Sequence, residues 1–161
     1  MQVEMSIKGL MVDPIKNTPI VILHDREGQR VLQISVGVFE GNAIALQIEN
    51  ISTPRPTTHD LLRNIIRDLK ADVQKVVVSD LKEGTFYAII HLIVGGELVA
   101  IDARPSDAIA LALGVRAPIF AEDTVIDHAK QLHRSPDTGD SERMQQWLAA
   151  LDPEELGKYK M

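Results

Sequence analysis

The stretch from Glu97 to Pro118, ELVAIDARPSDAIALALGVRAP, decides how this chain folds. Its first part (97–103) is typical of an apolar β-strand, and its later part (106–113) is typical of an apolar helix, so both are expected to be buried. Four polar side chains lie around the turn between them: Asp102, Arg104, Ser106 and Asp107. Charged groups beside a core are costly unless they are paired, so this turn predicts either a functional site or a tight structural lock.

Strand alternation predicts that Asp102 and Arg104 emerge on the same side of the strand. Pro105 suits the first position of a helix, which places Ser106 and Asp107 in the first turn, where acceptors and negative charge are favoured. In the structural interpretation, Asp107 caps the helix and Arg104 pairs with a carboxylate. In the functional interpretation, Asp102 and Asp107 bind a divalent cation or a water, and Arg104 holds a phosphate.

A second polar cluster, PRPTTHD, occupies residues 54–60. His59 is a candidate general acid or base because an imidazole titrates near neutral pH, and Asp60 adjoins it in sequence. The alternative is that this segment only starts a helix, with Thr57 or Thr58 as its cap. The sequence leaves both interpretations open.

The basic residues that follow form a candidate contact surface for nucleic acid. The formal net charge of −6 does not favour nonspecific binding to a polyphosphate, but five basic and three acidic residues lie between Arg55 and Lys75. Arg63, Arg67 and Lys70 are spaced as a stripe on a helix. Such a stripe is also typical of a solvated helix face. Arg55 and this stripe are therefore the predicted nucleic-acid contacts, together with Ser106.

Composition limits the class of protein. The 161 residues are 45% hydrophobic and 25% charged, as in an ordinary globular protein. The absence of cysteine excludes disulfides, zinc–thiolate sites and cysteine nucleophiles. No signal peptide is recognisable, and no apolar run approaches the roughly 20 residues that a membrane helix needs. We therefore expect a cytoplasmic protein with no membrane partner.

The order of predicted elements favours an α+β fold with a mostly antiparallel or mixed sheet and packed helices. Strands are predicted over 2–12, 19–24, 30–36, 73–79, 85–94 and 97–103, with a short extended piece at 118–121. Helices are predicted over 38–49, after Thr57, over 106–113 with Gly114 as the stop, and near 123–133. Residues 1–133 form the predicted domain, and 134–161 are predicted to be a linker and a short amphipathic helical tail.

Glu40 is a further candidate, because it is a polar residue on the otherwise apolar helix 38–49. It is either part of a site or an edge residue. Spacing alone provides no phosphate-binding glycine loop and no dinucleotide fingerprint. The residues on their own therefore indicate the location of a site, but they do not define its chemistry.

Four segments of the chain resemble the bifunctional nuclease family of bacteria and plants: FEGNAIAL at 39–46, PRPTTHDLL at 54–62, IDARPSDAIALAL at 101–113 and PIFAEDTV at 118–125. The segments stand in the family's order, and the resemblance covers roughly residues 1–133. It implies an α+β domain that forms a homo-oligomer and cleaves both DNA and RNA. The positions that it marks are Glu40, His59, Asp60, Asp102, Arg104, Ser106 and Asp107.

Two functional hypotheses follow. The first is a nuclease that hydrolyses phosphodiester bonds with the help of Mg²⁺ or Mn²⁺. In it, Asp102, Asp107 and Glu40 position a metal ion or water, His59 with Asp60 beside it transfers a proton, and Arg104 stabilises charge on the phosphate. The second is a noncatalytic oligomeric binding or regulatory module that recognises an anionic ligand or nucleic acid at the same place.

Overall fold

The computed structural model of the protein describes residues 1–133, which form a seven-stranded sheet and four helices. The elements in chain order are β1 (Gln2–Val12), β2 (Pro19–Asp25), β3 (Val31–Ser35), α1 (Val38–Ile48), α2 (Thr58–Asp68), β4 (Ala71–Lys82), β5 (Thr85–Val94), β6 (Glu97–Ala103), α3 (Pro105–Val115), β7 (Ile119–Glu122) and α4 (Asp123–His133). The predicted α+β class with a mixed sheet is confirmed. The tail predicted over 134–161 lies outside the described residues.

The sheet has the strand order β3-β2-β1-β7-β4-β5-β6. Strands β1 to β3 form one antiparallel meander, and β4 to β6 form another. The short strand β7 joins the two, because it pairs antiparallel with β1 and parallel with β4. The extended piece predicted at 118–121 is therefore the central link of the sheet.

Helix α3 is the central helix of the core. Alternate residues of β4 and β5 pack with it in one hydrophobic cluster that includes Val76, Val78, Ala88 and Ile90. Its residues from Ala108 to Ala112 are all buried, as expected for a helix that is apolar on every side. Both α1 and α2 pack against α3. No helix within residues 1–133 is long and apolar enough to cross a membrane.

The strand of the opening stretch is not buried, contrary to the sequence-based expectation. β6 is an edge strand that pairs only with β5 among the described strands. Its residues from Glu97 to Asp102 are all exposed, including Leu98 at 69%. Apolar composition alone does not distinguish a central strand from an edge strand, which explains the error.

Two helix ends also differ from the prediction. Gly114 does not stop α3, which continues to Val115 and ends at Arg116 in the left-handed conformation (φ 59°). Lys70 does not lie on α2, because the helix ends at Asp68 and Lys70 has itself turned left-handed (φ 61°). Lys70 is therefore not part of the basic stripe of Arg63 and Arg67.

Candidate active site

The first turns of three helices meet at one place. Glu40 lies in the first turn of α1, His59 in that of α2 and Asp107 in that of α3. Arg104 is the N-cap residue of α3, and Pro105 takes the first helical position as predicted. Each helix N-terminus carries a partial positive charge, which stabilises carboxylates and other anions placed there.

The four side chains form one connected network. His59 Nε2 lies 2.8 Å from Asp107 Oδ1. The other oxygen of that carboxylate, Oδ2, accepts a hydrogen bond from Arg104 Nε at 3.0 Å. Arg104 Nη2 donates to Glu40 Oε1 at 2.9 Å. The carboxylate of Asp107 thus joins His59 to Arg104, and Arg104 joins both to Glu40.

The network supports one part of the structural interpretation of the turn and contradicts the other. Asp107 does not cap α3 with its side chain, because its oxygens are directed to His59 and Arg104. Arg104 does pair with carboxylates, as the structural interpretation expected. Its hydrogen bonds to Asp107 and then Glu40 raise the pKa of the guanidinium above its ordinary value, so the charge is permanent.

Arg104 keeps donors for a further partner. Its side chain is 66% exposed, whereas those of His59 and Glu40 are 13% and 18% exposed. The ion pairs use Nε and Nη2, and within residues 1–133 the Nη1 group has no hydrogen-bond acceptor. Since a guanidinium has five N–H donors, the two on Nη1 are available to an anionic ligand.

The carboxylate also defines how His59 carries its proton. An ionised carboxylate only accepts hydrogen bonds, so Asp107 requires the Nε2 atom of His59 to be the donor. In the neutral imidazole, Nδ1 then holds the lone pair. The arrangement can orient the ring and stabilise it once Nδ1 takes a proton.

The carboxylate of Asp60 caps helix α2 and does not contact His59 through a hydrogen bond. Its Oδ2 accepts a hydrogen bond from Thr57 N at 3.0 Å, and Thr57 Oγ1 accepts one from Asp60 N at 3.3 Å. These reciprocal bonds are a capping box at the start of α2. The hydrogen bond from Thr57 N is the main cause that lowers the pKa of Asp60 below its usual value of 3.8.

We predict that Asp60→Ala destabilises the fold by about 1 kcal/mol, the usual cost of losing a cap. Thermal unfolding should show a melting temperature about 3 °C lower than that of the unchanged protein. Because the folded-state pKa is lowered, the difference should persist at neutral pH and shrink as the pH falls through that pKa. The exposed helical residue Asp127, changed to alanine, is the control. A pH-independent difference would contradict the assignment.

Asp102 is not brought into the network. It pairs with Ile89 across the sheet, while its neighbour Ala103 pairs with the buried Ala88. Paired residues of antiparallel strands point to the same side, so Asp102 points away from the core and α3. Arg104 has already left the strand, and the predicted same-side pair does not form a contact.

The geometry does not support the predicted metal site formed by Asp102 and Asp107. Asp102 points away from the core side of β6, and both oxygens of Asp107 on α3 are engaged by His59 and Arg104. Within residues 1–133 no group of three or more His, Asp or Glu side chains is arranged to hold a metal ion. The residues named for the metal therefore do not fit it.

The predicted nucleic-acid contacts are dispersed. Arg63 lines a cleft beside α2, and its Nη1 atom lies 3.9 Å from Asp60 Oδ1. Arg67 is exposed and pairs with Asp68. Arg55 is exposed in the loop before α2. Ser106 is buried at the edge of another cleft, which it shares with Arg104.

Gly37 is a residue of the site that the sequence did not reveal. It precedes α1, and the carboxylate of Glu40 folds back over it into the space that a side chain would occupy. The lack of a side chain thus allows Glu40 to hold Arg104 in place. A glycine directly before a predicted helix that contains a candidate carboxylate was the only available signal.

Comparison with known proteins identifies the family to which the chain belongs. The sequence profile of the bifunctional nuclease domain matches residues 21–133, which contain all of Glu40, His59, Arg104 and Asp107. The chain belongs to the bifunctional nuclease domain family. The family resemblance seen in the sequence is thereby confirmed.

Individual relatives in this comparison include bacterial and plant proteins. An uncharacterized protein of Mycobacterium tuberculosis is 37% identical over 157 residues, which are 98% of this chain and 90% of that protein. Bifunctional nuclease 1 of Oryza sativa subsp. indica is 27% identical over 104 residues, 62% of this chain and 31% of the rice protein. A bifunctional nuclease of Oryza minuta matches to the same extent. The match to the plant enzymes is thus limited to part of each chain.

Proposed function

We propose that the protein is a nuclease that cleaves phosphodiester bonds of DNA and RNA, with His59 as the group that transfers the proton. The observation that carries the proposal is the 2.8 Å contact between His59 Nε2 and Asp107 Oδ1. Nδ1 of the neutral ring accepts the proton of the attacking water, and Asp107 stabilises the resulting imidazolium. The new P–O bond forms as the bond to the leaving oxygen breaks, and that oxygen departs with the electron pair and takes up a proton from solvent.

Arg104 provides the complementary charge. Its Nη1 donors bind a non-bridging oxygen of the phosphate, while Glu40 and Asp107 fix the plane of the guanidinium. Two carboxylates beside a phosphate would repel it, but the guanidinium and the three helix N-termini oppose that repulsion. The charge of the site is therefore compatible with an anionic substrate despite the acidic chain.

The requirement for Mg²⁺ or Mn²⁺ stays a prediction. Asp102 and Asp107 do not form a shared metal site, but this says nothing about whether the reaction needs a cation. Activity measured in EDTA, and again with each cation restored, decides the requirement.

The test of the proposal is a cleavage assay with end-labelled DNA and RNA oligonucleotides, single- and double-stranded. The purified protein should cleave them, and the activity should co-elute with the protein through two different chromatography steps. The activity should also depend on His59, which separates it from a contaminating nuclease. Absence of cleavage under every cation condition would refute the proposal.

The noncatalytic module is the second candidate, and one observation favours it. The side chains of Glu40, Arg104, Asp107 and His59 pair with one another, so the network can simply lock α1, α2 and α3 together. An anionic ligand would then bind to Arg104 without reacting. This candidate predicts binding of nucleic acid with no cleavage, and His59→Ala would lower stability rather than a reaction rate.

The homo-oligomer implied by the family belongs to the same proposal. Leu61 and Ile65 on α2 and Leu69 directly after it form an apolar row and are 53%, 46% and 72% exposed. Among the described strands, β6 pairs on one side only. Exposed apolar surface of this kind is typical of contacts between proteins. We expect a mass above 17.8 kDa in light scattering, and Leu61→Glu together with Ile65→Glu should lower it if α2 forms the contact. A monomeric mass would contradict the expectation.

A further inference from the structure

A polar cleft lies between α1, the loop that follows it and α2. Its volume is about 510 Å³, within the roughly 300–1,000 Å³ of small-molecule sites. Three residues that carry side-chain amides line it, Gln47, Asn50 and Asn64, together with Arg63. Leu46 and Pro54 contribute apolar wall. The lining thus combines polar groups with flat apolar surface.

The amides of the cleft are free to bind a ligand. Among residues 1–133 the side-chain amides of Gln47, Asn50 and Asn64 have no hydrogen-bond partner, and none of them is a buried unsatisfied group. An amide presents a donor and an acceptor side by side, the pattern that complements the edge of a nucleobase. Base faces pack on apolar side chains and on guanidinium planes.

The cleft adjoins the His59 side of the candidate active site. A smaller recess reaches His59 and Thr57, and it shares Gln47, Thr53 and Asp60 with the polar cleft. A ligand in the cleft would therefore lie beside the proton-transfer group, on the side of α2.

We propose that this cleft is a nucleobase subsite, in which Asn50 and Asn64 read the edge of the base next to the reacting phosphate. The proposal deepens the proposed nuclease function and rests on it for its biological role. It assigns base preference to the amides and phosphate binding to Arg104.

The test measures nucleotide binding directly, by calorimetry with the four ribonucleoside 5′-monophosphates and with inorganic phosphate. At least one nucleotide should bind more tightly than phosphate. Asn64→Ala should weaken that nucleotide roughly tenfold, the effect of losing one pair of hydrogen bonds to a base, and leave phosphate unchanged. Asn50→Gly is the second variant, because glycine retains the left-handed backbone found there (φ 53°). The exposed amide of Gln131, changed to alanine, is the control.

The outcomes separate this subsite from the nuclease function. Nucleotides that bind no better than phosphate, or that bind both cleft variants as well as the unchanged protein, overturn the subsite. Cleavage of oligonucleotides without base preference, and unaltered in Asn64→Ala, also overturns it while the nuclease function stands. Nucleotide binding that both variants weaken, in a protein that cleaves nothing, supports the subsite and contradicts the nuclease function.

Discussion

His59→Ala should lower the rate of phosphodiester cleavage by roughly 10²–10⁴-fold, the usual contribution of a positioned acid or base. The ring is held 2.8 Å from Asp107 and is only 13% exposed, and alanine leaves no group at this position that can take up a proton. The loss should appear in kcat, because Arg104 still binds the phosphate. Single-turnover cleavage of a labelled oligonucleotide measures it.

A second substitution separates catalysis from folding. In His59→Gln an amide N–H can still donate to Asp107, but the side chain cannot take up a proton at neutral pH. Equal loss of activity in both variants, with a normal melting temperature for the glutamine variant, supports proton transfer. The exposed His128 changed to alanine is the matched control. Full activity in His59→Gln would assign His59 a structural role.

Arg104→Lys should reduce kcat by roughly 10²–10³-fold, as the loss of one stabilising donor to a developing negative charge usually does. Lysine retains the charge but cannot donate to Glu40, Asp107 and a phosphate oxygen in one plane. The variant also leaves at least one carboxylate of the site less well neutralised. Arg26→Lys, in an exposed hairpin loop, is the matched control.

Gly37→Ala tests the same network without changing any charge. A side chain at position 37 would displace the flexible carboxylate of Glu40, while the backbone there (φ −68°, ψ 160°) suits alanine. We expect a smaller loss of kcat than in Arg104→Lys, with an unchanged melting temperature. Activity equal to that of the unchanged protein would remove Glu40 from the positioning of Arg104.

The elements of the fold were predictable because their sequence patterns are strong. The alternation of β1 and the leucine and isoleucine spacing of α2 placed both elements close to where they lie. The position of β7 in the centre of the sheet was not predictable, since its partners β1 and β4 are distant in sequence. The exposure of β6 was missed for a related reason: burial depends on which neighbours a strand finds.

The candidate site was predictable as a set of residues but not as a set of contacts. His59, Arg104, Asp107 and Glu40 were all singled out by their chemistry and by the family resemblance. The contact of His59 with Asp107 spans 48 positions and that of Arg104 with Glu40 spans 64, so only the packing of α1 and α2 on α3 could join them. Asp102 was grouped with Arg104 because strand alternation was extended one residue beyond the strand's end.

The location of β7 has a consequence for the order in which the molecule can form during synthesis. The two antiparallel meanders emerge from the ribosome one after the other, but they cannot join until residues 119–122 have been made. Pairings between distant segments are slow to form, because the intervening chain must be closed into a loop first. The three helix starts of the site are therefore fixed relative to one another only late, and a nascent chain has no assembled proton-transfer pair for most of its translation.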